Sequence, residues 1–171
     1  MKRYLSLALV GFCFLSTSVN AEEGYFGIGV GTGSYSEADF DESDTGLNIY
    51  GGFKAGENLG LEISYTDFGN PEGRFLGFNT SVEVTGLGFS AVGYIPVSDN
   101  FNLFGKFGLM AWDADIAVGS ISGSEDGTDL LLGFGATYQI SNQFALRGAW
   151  EFVDVDGGDL DMLSINAQFN F

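Results

Sequence analysis

Four charged residues are the first candidates for chemistry, and they lie far apart in the chain: Glu62, Lys106, Arg147 and Glu151. Carboxylates next to Lys or Arg can form ion pairs, tune a proton donor or line a path for ions. General-base and nucleophilic catalysis commonly depend on a His. The sequence contains no His, and its only Cys, Cys13, lies in the amino-terminal apolar run. We therefore predict no catalytic residue and no enzyme activity.

Two carboxylate-rich segments are the next candidates, "SEADFDESDT" at 36–45 and "DVDGGDLD" at 154–161. Neither has the ligand spacing of an EF-hand loop. We predict no dedicated metal site and no cofactor. Two interpretations remain open. The carboxylates form a solvated anionic rim, or Ca²⁺ or Mg²⁺ bridges them to phosphates of a neighbouring anionic surface.

Composition places these residues in a single all-β domain. The chain has 171 residues, of which 27 are Gly and only 2 are Pro, and 15% are aromatic. This mixture is typical of a large antiparallel sheet. The net charge of −17 excludes nucleic acid as a partner, because phosphate neutralisation needs clustered basic residues.

The amino terminus has the pattern of a secretory signal peptide. Lys2 and Arg3 precede an apolar run over 5–15, and "SVNA" ends at Ala21. The apolar run is too short to span a bilayer. We predict a signal peptide at 1–21, cleavage after Ala21, and a single exported domain at 22–171.

The domain shows period-two alternation in eight segments. Apolar and aromatic residues alternate with Gly, Ser, Thr and Asn, which predicts strands. The orientation near Tyr94 is left open. The segments are 26–35, 46–54, 59–66, 85–95, 101–112, 129–140, 143–152 and 163–171.

The composition of the polar face decides where these strands lie. A soluble sandwich would carry many Lys and Glu residues there, whereas small residues suit a crowded interior. No helical pattern after the signal peptide could cover the apolar face, so that face must contact lipid. The fold class is therefore an all-β, eight-stranded antiparallel up-and-down transmembrane β-barrel. Such a barrel leaves no unpaired sheet edge in the bilayer.

The connections support a barrel of the outer membrane. Short links alternate with longer polar segments, as expected for periplasmic turns and extracellular loops with both termini in the periplasm. The short links are 55–58, 96–100 and 140–143, and the longer segments are 36–45, 68–80, 114–128 and 154–160.

All four charged candidates fall on the interior face of their strands, so we expect them to form one network. An eight-stranded barrel is just wide enough for side chains to fill it, which favours a structural network over ion conduction.

We expect some of the aromatic residues near strand ends to form girdles at the membrane interfaces. They are Tyr25, Tyr35, Tyr65, Phe68, Tyr94, Phe101, Trp112, Tyr138, Phe144, Trp150 and Phe171.

Residues 22–171 resemble the OmpA-like eight-stranded transmembrane barrels. The resemblance is densest in "GLEISYTDFG", "FNLFGKFGLMAWDAD" and "YQISNQFALRGAWEFVDVD". It implies that Glu62 and Arg147 correspond to a family ion pair. It implies that a second Lys–Glu pair is replaced, with Ala91 and Thr137 near those positions. It also implies that Phe171 is the signal read by the outer-membrane assembly machinery.

We expect a structural outer-membrane protein that supports envelope integrity and presents its loops for surface interactions. The alternatives are a small pore or hydrophobic-solute conduit, and a surface adhesin. The expected partners are outer-membrane lipids, lipopolysaccharide bridged by Ca²⁺ or Mg²⁺, and the assembly machinery. The sequence stops at Phe171, so we expect a barrel without the peptidoglycan-binding domain of some relatives.

Overall fold

The computed structural model describes residues 23–37, 40–70, 72–75, 78–118, 121–155 and 158–171. The predicted signal peptide at 1–21 lies outside these ranges. The described residues contain no helix long and apolar enough to cross a membrane. Nine strands are described: β1 Glu23–Glu37, β2 Phe40–Lys54, β3 Leu59–Asp67, β4 Glu72–Phe75, β5 Phe78–Ser98, β6 Phe101–Val118, β7 Ile121–Gln139, β8 Phe144–Val155 and β9 Gly158–Asn170.

Eight of these strands form a closed antiparallel ring. Neighbours in sequence pair with one another, and two further pairings close the ring. β1 pairs with β9, where Ile28 lies opposite Ala167, and β3 pairs with β5, where Ile63 lies opposite Phe89. The remaining strand, β4, lies outside the ring and pairs with the start of β5. The predicted eight-stranded barrel is confirmed, with one additional short strand.

The two ends of the barrel differ. The turn end holds Glu23, Phe171 and the short connections at 55–58, 99–100 and 140–143, and the hairpin end holds the other connections. At the hairpin end, strand pairing continues through much of the sequence predicted as loops. It reaches Glu37 opposite Phe40 and Val118 opposite Ile121. Polar composition reports contact with water, and an antiparallel ladder can continue into water.

The outward face is apolar and aromatic, as the alternation predicts. Exposure reaches 60% at Phe89 and 61% at Phe107. The alternation also settles the open orientation near Tyr94: Val92 is fully buried and Ile95 is exposed, so Tyr94 points inward. An irregularity follows between Pro96 and Ser98.

Glycines on the inward face make room for large interior side chains. A Cβ on Gly27 would overlap the Tyr50 ring, with Cε1 2.6 Å away. A Cβ on Gly135 would lie 2.6 Å from Cζ of Phe104. The Gly-rich face therefore complements particular rings, since overlap at such distances cannot be relieved without moving a side chain or the backbone.

The interior has two layers. Near the turn end, the buried side chains are mostly polar, whereas near the hairpin end an apolar cluster fills the barrel. The sequence predicts an interior lined mostly by small polar residues, and this prediction is wrong for the second layer. We call it the apolar plug, and its buried members are Phe68, Val84, Met110, Trp112, Ala114, Leu131, Val153, Val155, Leu160 and Met162.

Candidate functional site

The structure brings the four predicted charged side chains together inside the barrel. β3 supplies Glu62, β6 supplies Lys106, and β8 supplies both Arg147 and Glu151. Each occupies an inward position because it shares the parity of small residues on its strand. All four are at most 4% exposed. We call them the ionic layer.

Glu62 is the centre of the ionic layer. Arg147 Nη1 donates to Glu62 Oε2 at 2.6 Å, and Lys106 Nζ lies 3.2 Å from Glu62 Oε1. Lys106 also forms an ion pair with Glu151. Two cations therefore meet two carboxylates, and the layer is formally neutral. Neutrality is what a buried cluster needs, because an unpaired charge away from water is costly.

Aromatic side chains complete the surroundings of these charges. The Arg147 guanidinium lies 4.4 Å from the centre of the Tyr50 ring and 4.0 Å from that of Phe104. Tyr25 Oη donates to Glu62 Oε2 at 3.0 Å, and Tyr94 Oη donates to Tyr25 Oη at 2.9 Å. Cation–π contact and hydrogen bonding thus hold the ion pair from several sides.

The sequence alone did not identify these aromatic residues as part of the site. Tyr25 and Tyr94 were among the expected interfacial aromatics, and so were Phe68 and Trp112, yet all four point into the barrel. The alternation of inward and outward positions along each strand was the signal that could have identified these residues as interior. Tyr25, for example, has the opposite parity to the outward Phe26 on the same strand.

The expected replacement of a family Lys–Glu pair near Ala91 and Thr137 stays a prediction. Lys106 and Glu151, on other strands, form a Lys–Glu ion pair inside the barrel. Ala91 does not occupy an interior position, because it lies opposite the outward Phe107 and is itself exposed. Thr137 is interior. Position along one strand could not show that β6 and β8 bring Lys106 and Glu151 together.

Polar interior atoms remain available around the ionic layer. Among the described residues, Ser64 Oγ, Arg147 Nε, Glu151 Oε2 and Asn166 Oδ1 are buried without a hydrogen-bond partner. Such atoms are suited to hydrogen bonds with buried water.

A cavity of about 520 Å³ opens at the turn end. Its lining includes Lys54, Tyr94, Asn102, Thr137 and Gln168. Tyr94 links this cavity to the ionic layer through Tyr25. Toward the hairpin end, the apolar plug covers the ionic layer, and its Trp112 donates Nε1–H to Asp129 Oδ2 at 2.6 Å. The polar interior is thus approached from the turn end.

This arrangement provides packing and charge compensation. Each carboxylate in the ionic layer faces a cation. Among the described residues, no group of three or more His, Cys, Asp or Glu side chains could hold a metal ion.

The carboxylate-rich segments are described only in part. The side chains of 36–42 and of 156–158 lie outside the described ones. Asp154 and Asp159 are exposed and lie opposite each other on β8 and β9. Asp44 accepts hydrogen bonds from the backbone N–H groups of Thr45 and Asn70. These bonds favour its charged form and lower the pKa of Asp44 below its usual value.

Phe171 lies against the start of β1. Its backbone exchanges two hydrogen bonds with Gly24, with N···O distances of 2.9 and 2.8 Å. Its ring stacks beside Phe169, with centroids 6.3 Å apart, and is 59% exposed. Recognition of Phe171 by the assembly machinery stays a prediction.

Known proteins share this sequence pattern and fold. The family model of the outer membrane protein beta-barrel domain matches residues 5–171. Outer membrane protein A of Escherichia coli O157:H7 is 22% identical over 185 residues, which are 98% of this chain and 53% of that protein. Its counterpart in Yersinia pseudotuberculosis is 23% identical, with 98% and 54% covered. The chain therefore spans about half the length of these relatives.

Two solved structures have the same fold. The attachment invasion locus protein Ail of Yersinia pestis superposes with a TM-score of 0.65 at 17% identity, over 87% of this chain and 98% of that one. Neisserial surface protein A superposes with a TM-score of 0.71 at 14% identity, over 86% and 97%. Identities this low show the fold alone.

Proposed function

Because this chain belongs to the outer membrane protein β-barrel domain family, we propose that it is a non-catalytic barrel that supports envelope integrity and presents its hairpins at the cell surface. The carrying observation is the combination of an apolar outward belt with a filled, charge-neutral interior. The belt suits residence in lipid, and the filled interior suits a rigid structural element.

Lipids are the first proposed partners. Outward residues such as Phe89, Phe107 and Leu163 would contact acyl chains. At the hairpin end, exposed carboxylates such as Asp154 and Asp159 would face the phosphates of lipopolysaccharide. Two anionic surfaces require counterions between them, so Ca²⁺ or Mg²⁺ would bridge the two. Besides these lipids and lipopolysaccharide, we propose that the assembly machinery is a partner and binds through Phe171.

Envelope sensitivity tests this proposal. A deletion strain and the same strain carrying the wild-type gene are compared for growth in detergent and bile salts. We expect the deletion strain to be more sensitive, and the gene to restore resistance. Equal growth of both strains would contradict the structural role. Heat-dependent migration of the purified protein on a detergent gel checks separately that the barrel is folded.

A small pore is the second candidate. The cavity at the turn end and the unpaired atoms Ser64 Oγ and Asn166 Oδ1 favour it, because they offer a polar environment inside the barrel. The apolar plug opposes it, since Met110 and Leu131 are fully buried across the interior. Single-channel recording in planar bilayers tests this candidate, and a barrel that never conducts would rule out the pore.

An adhesin is the third candidate, favoured by strand pairing that extends to Val118 and Ile121 at the tip of a long hairpin. Ail has been crystallised with the heparin analogue sucrose octasulfate. We do not propose a sulfated ligand for this chain, because Asp113, Glu125 and Asp126 on the same hairpin would repel it. Shortening the β6–β7 hairpin and measuring attachment to host surfaces tests this role.

A further inference from the structure

At the hairpin end, part of β7 has a paired strand on only one side. β7 pairs with β6 from Val118 opposite Ile121 down to Phe101 opposite Tyr138. It pairs with β8 only over Leu131–Gln139. Within the described part of the chain, residues 121–130 of β7 therefore form an open strand edge. We call this stretch the β7 edge.

The register identifies the backbone groups on the β7 edge. Antiparallel strands alternate between residues that bond their neighbour and residues that point away from it. Gln139 N donates to Asn100 O, one position beyond the pair of Phe101 and Tyr138. The register between β6 and β7 then runs to Ile121 without a shift. The backbone N–H and C=O groups of odd-numbered β7 residues therefore hydrogen-bond to β6, and those of even-numbered β7 residues point away from β6. The N–H and C=O groups of Ser122, Ser124, Asp126 and Thr128 are thus available to another strand.

The charge around the β7 edge selects its partner. Asp126 lies opposite Asp113, and Asp115 lies between Ser124 on one side and Glu83 on the other. All four of these acidic side chains are exposed. The sequence has no Lys or Arg between 106 and 147. A second copy of this edge would bring carboxylates beside carboxylates, which is unfavourable across strands.

We propose that the β7 edge binds an extended, Lys- or Arg-rich segment of a partner protein by β-strand addition. The main-chain bonds supply the affinity, and basic side chains on alternate residues meet the acidic row. This inference rests on the proposed function, which places the β6–β7 hairpin outside the cell.

A ten-residue peptide of alternating Lys and Val is the probe for this site. A second peptide of equal charge, with Pro in place of each Val, cannot pair as a strand. Binding of both is measured on the full mature chain, folded in lipid nanodiscs at fixed ionic strength. We expect the Lys–Val peptide to bind and the Lys–Pro peptide to bind at least about tenfold more weakly, because Pro fixes φ outside the range of an antiparallel strand and so prevents a continuous main-chain ladder.

Matched variants separate strand addition from simple charge attraction. Ser124→Pro removes a donor that points away from β6, so the β6–β7 ladder stays intact, whereas Ser124→Ala keeps that donor. We expect Ser124→Pro to weaken peptide binding about tenfold and Ser124→Ala to leave it unchanged. Ser122→Pro gives the same test at a second available position. Asp126→Asn should weaken binding severalfold and reduce its dependence on salt.

Equal binding by Ser124→Pro and Ser124→Ala would overturn the proposal, because it would leave only attraction to an acidic rim. Absence of binding by the wild-type chain would also overturn it. Heat-dependent migration on a detergent gel is recorded for every variant. A folded barrel that fails to bind the peptide therefore refutes the β7 edge and leaves the proposed envelope role standing.

Discussion

The ionic layer and the apolar plug fill the same barrel in opposite ways. The ionic layer, near the turn end, buries two cations against two carboxylates and surrounds them with Tyr and Phe rings. The apolar plug, near the hairpin end, is filled by side chains such as Met110, Leu131 and Met162. A barrel interior can therefore be occupied either by charged side chains that compensate one another or by apolar side chains that fill its volume.

The boundary between the two layers crosses individual strands. β6 supplies Lys106 to the ionic layer and Met110 to the plug, and β8 supplies Glu151 and then Val153. The layers should respond differently to substitutions that conserve volume. Charge compensation depends on the identity of each partner, whereas packing depends mainly on size.

The largest expected effect is in the ionic layer. Glu62→Gln conserves volume but leaves Arg147 and one contact of Lys106 uncompensated. We expect a loss of roughly 4 kcal/mol in the free energy of unfolding, measured by urea titration in lipid vesicles. The control is Glu23→Gln, which breaks an exposed pair with Lys54. An equal loss in both variants would show that the ionic layer is no more demanding than the surface.

Substitutions in the apolar plug come next. Leu131→Ala leaves a cavity among fully buried neighbours and should cost roughly 3 kcal/mol. Leu131→Met conserves volume and should cost less than about 1.5 kcal/mol. The same urea titration measures both. If Leu131→Met were as damaging as Glu62→Gln, the contrast between packing and charge compensation would fail.

A smaller effect is expected where an inward glycine makes room for a ring. Gly27→Ala places a Cβ against Tyr50, which also contacts Arg147. We expect a cost of roughly 2 kcal/mol. Gly148→Ala is the control, because a Cβ there meets nothing within 4 Å. Equal stability of the two variants would contradict the pairing of glycines with rings.

The exposed pair at the turn end should contribute least to stability. Lys54 Nζ lies 2.5 Å from Glu23 Oε2, with both side chains about a third or more exposed. Water screens such pairs, so Glu23→Gln should cost less than about 1 kcal/mol. A cost that disappears in 1 M salt would still agree with a surface pair. A cost as large as that of Glu62→Gln would not.

Asp44 lies at the hairpin end, outside both layers, and should respond to pH. The pKa of Asp44 is lowered by the N–H groups of Thr45 and Asn70. A lowered pKa means that the stabilisation is present above the ordinary pKa of Asp and is lost as pH falls through the folded value. In an NMR titration, the amide signals of Thr45 and Asn70 should shift at acid pH. Asp44→Asn should abolish these shifts, and their persistence would contradict the assignment.

Sequence alternation was sufficient to predict the faces of the strands. It placed Phe89 and Phe107 outward and Glu62 and Arg147 inward, as the structure shows. It could do so because the side-chain period of a strand is two residues. The eight barrel strands and the short turns follow from the same pattern and from the spacing of Gly and polar residues.

Depth along the barrel could not be predicted in the same way. Period two assigns Met110 and Leu131 to the inward face but does not show that they meet in one plug, because that depends on the register between strands. The contact of Lys106 with Glu151 depends on it too. Register also explains the missed length of the hairpins, since the pairing of Glu37 with Phe40 is a property of two strands together.

The central claim is that alternate side chains contact lipid while the others fill the barrel, and the two Trp residues allow a direct test. Trp150 is 41% exposed on the outward face, and Trp112 is 6% exposed inside the plug. Single-Trp variants, Trp112→Phe and Trp150→Phe, are folded into vesicles that contain lipids with brominated acyl chains. We predict strong quenching of Trp150 fluorescence and much weaker quenching of Trp112. Equal quenching of both, or no quenching of Trp150, would contradict the account.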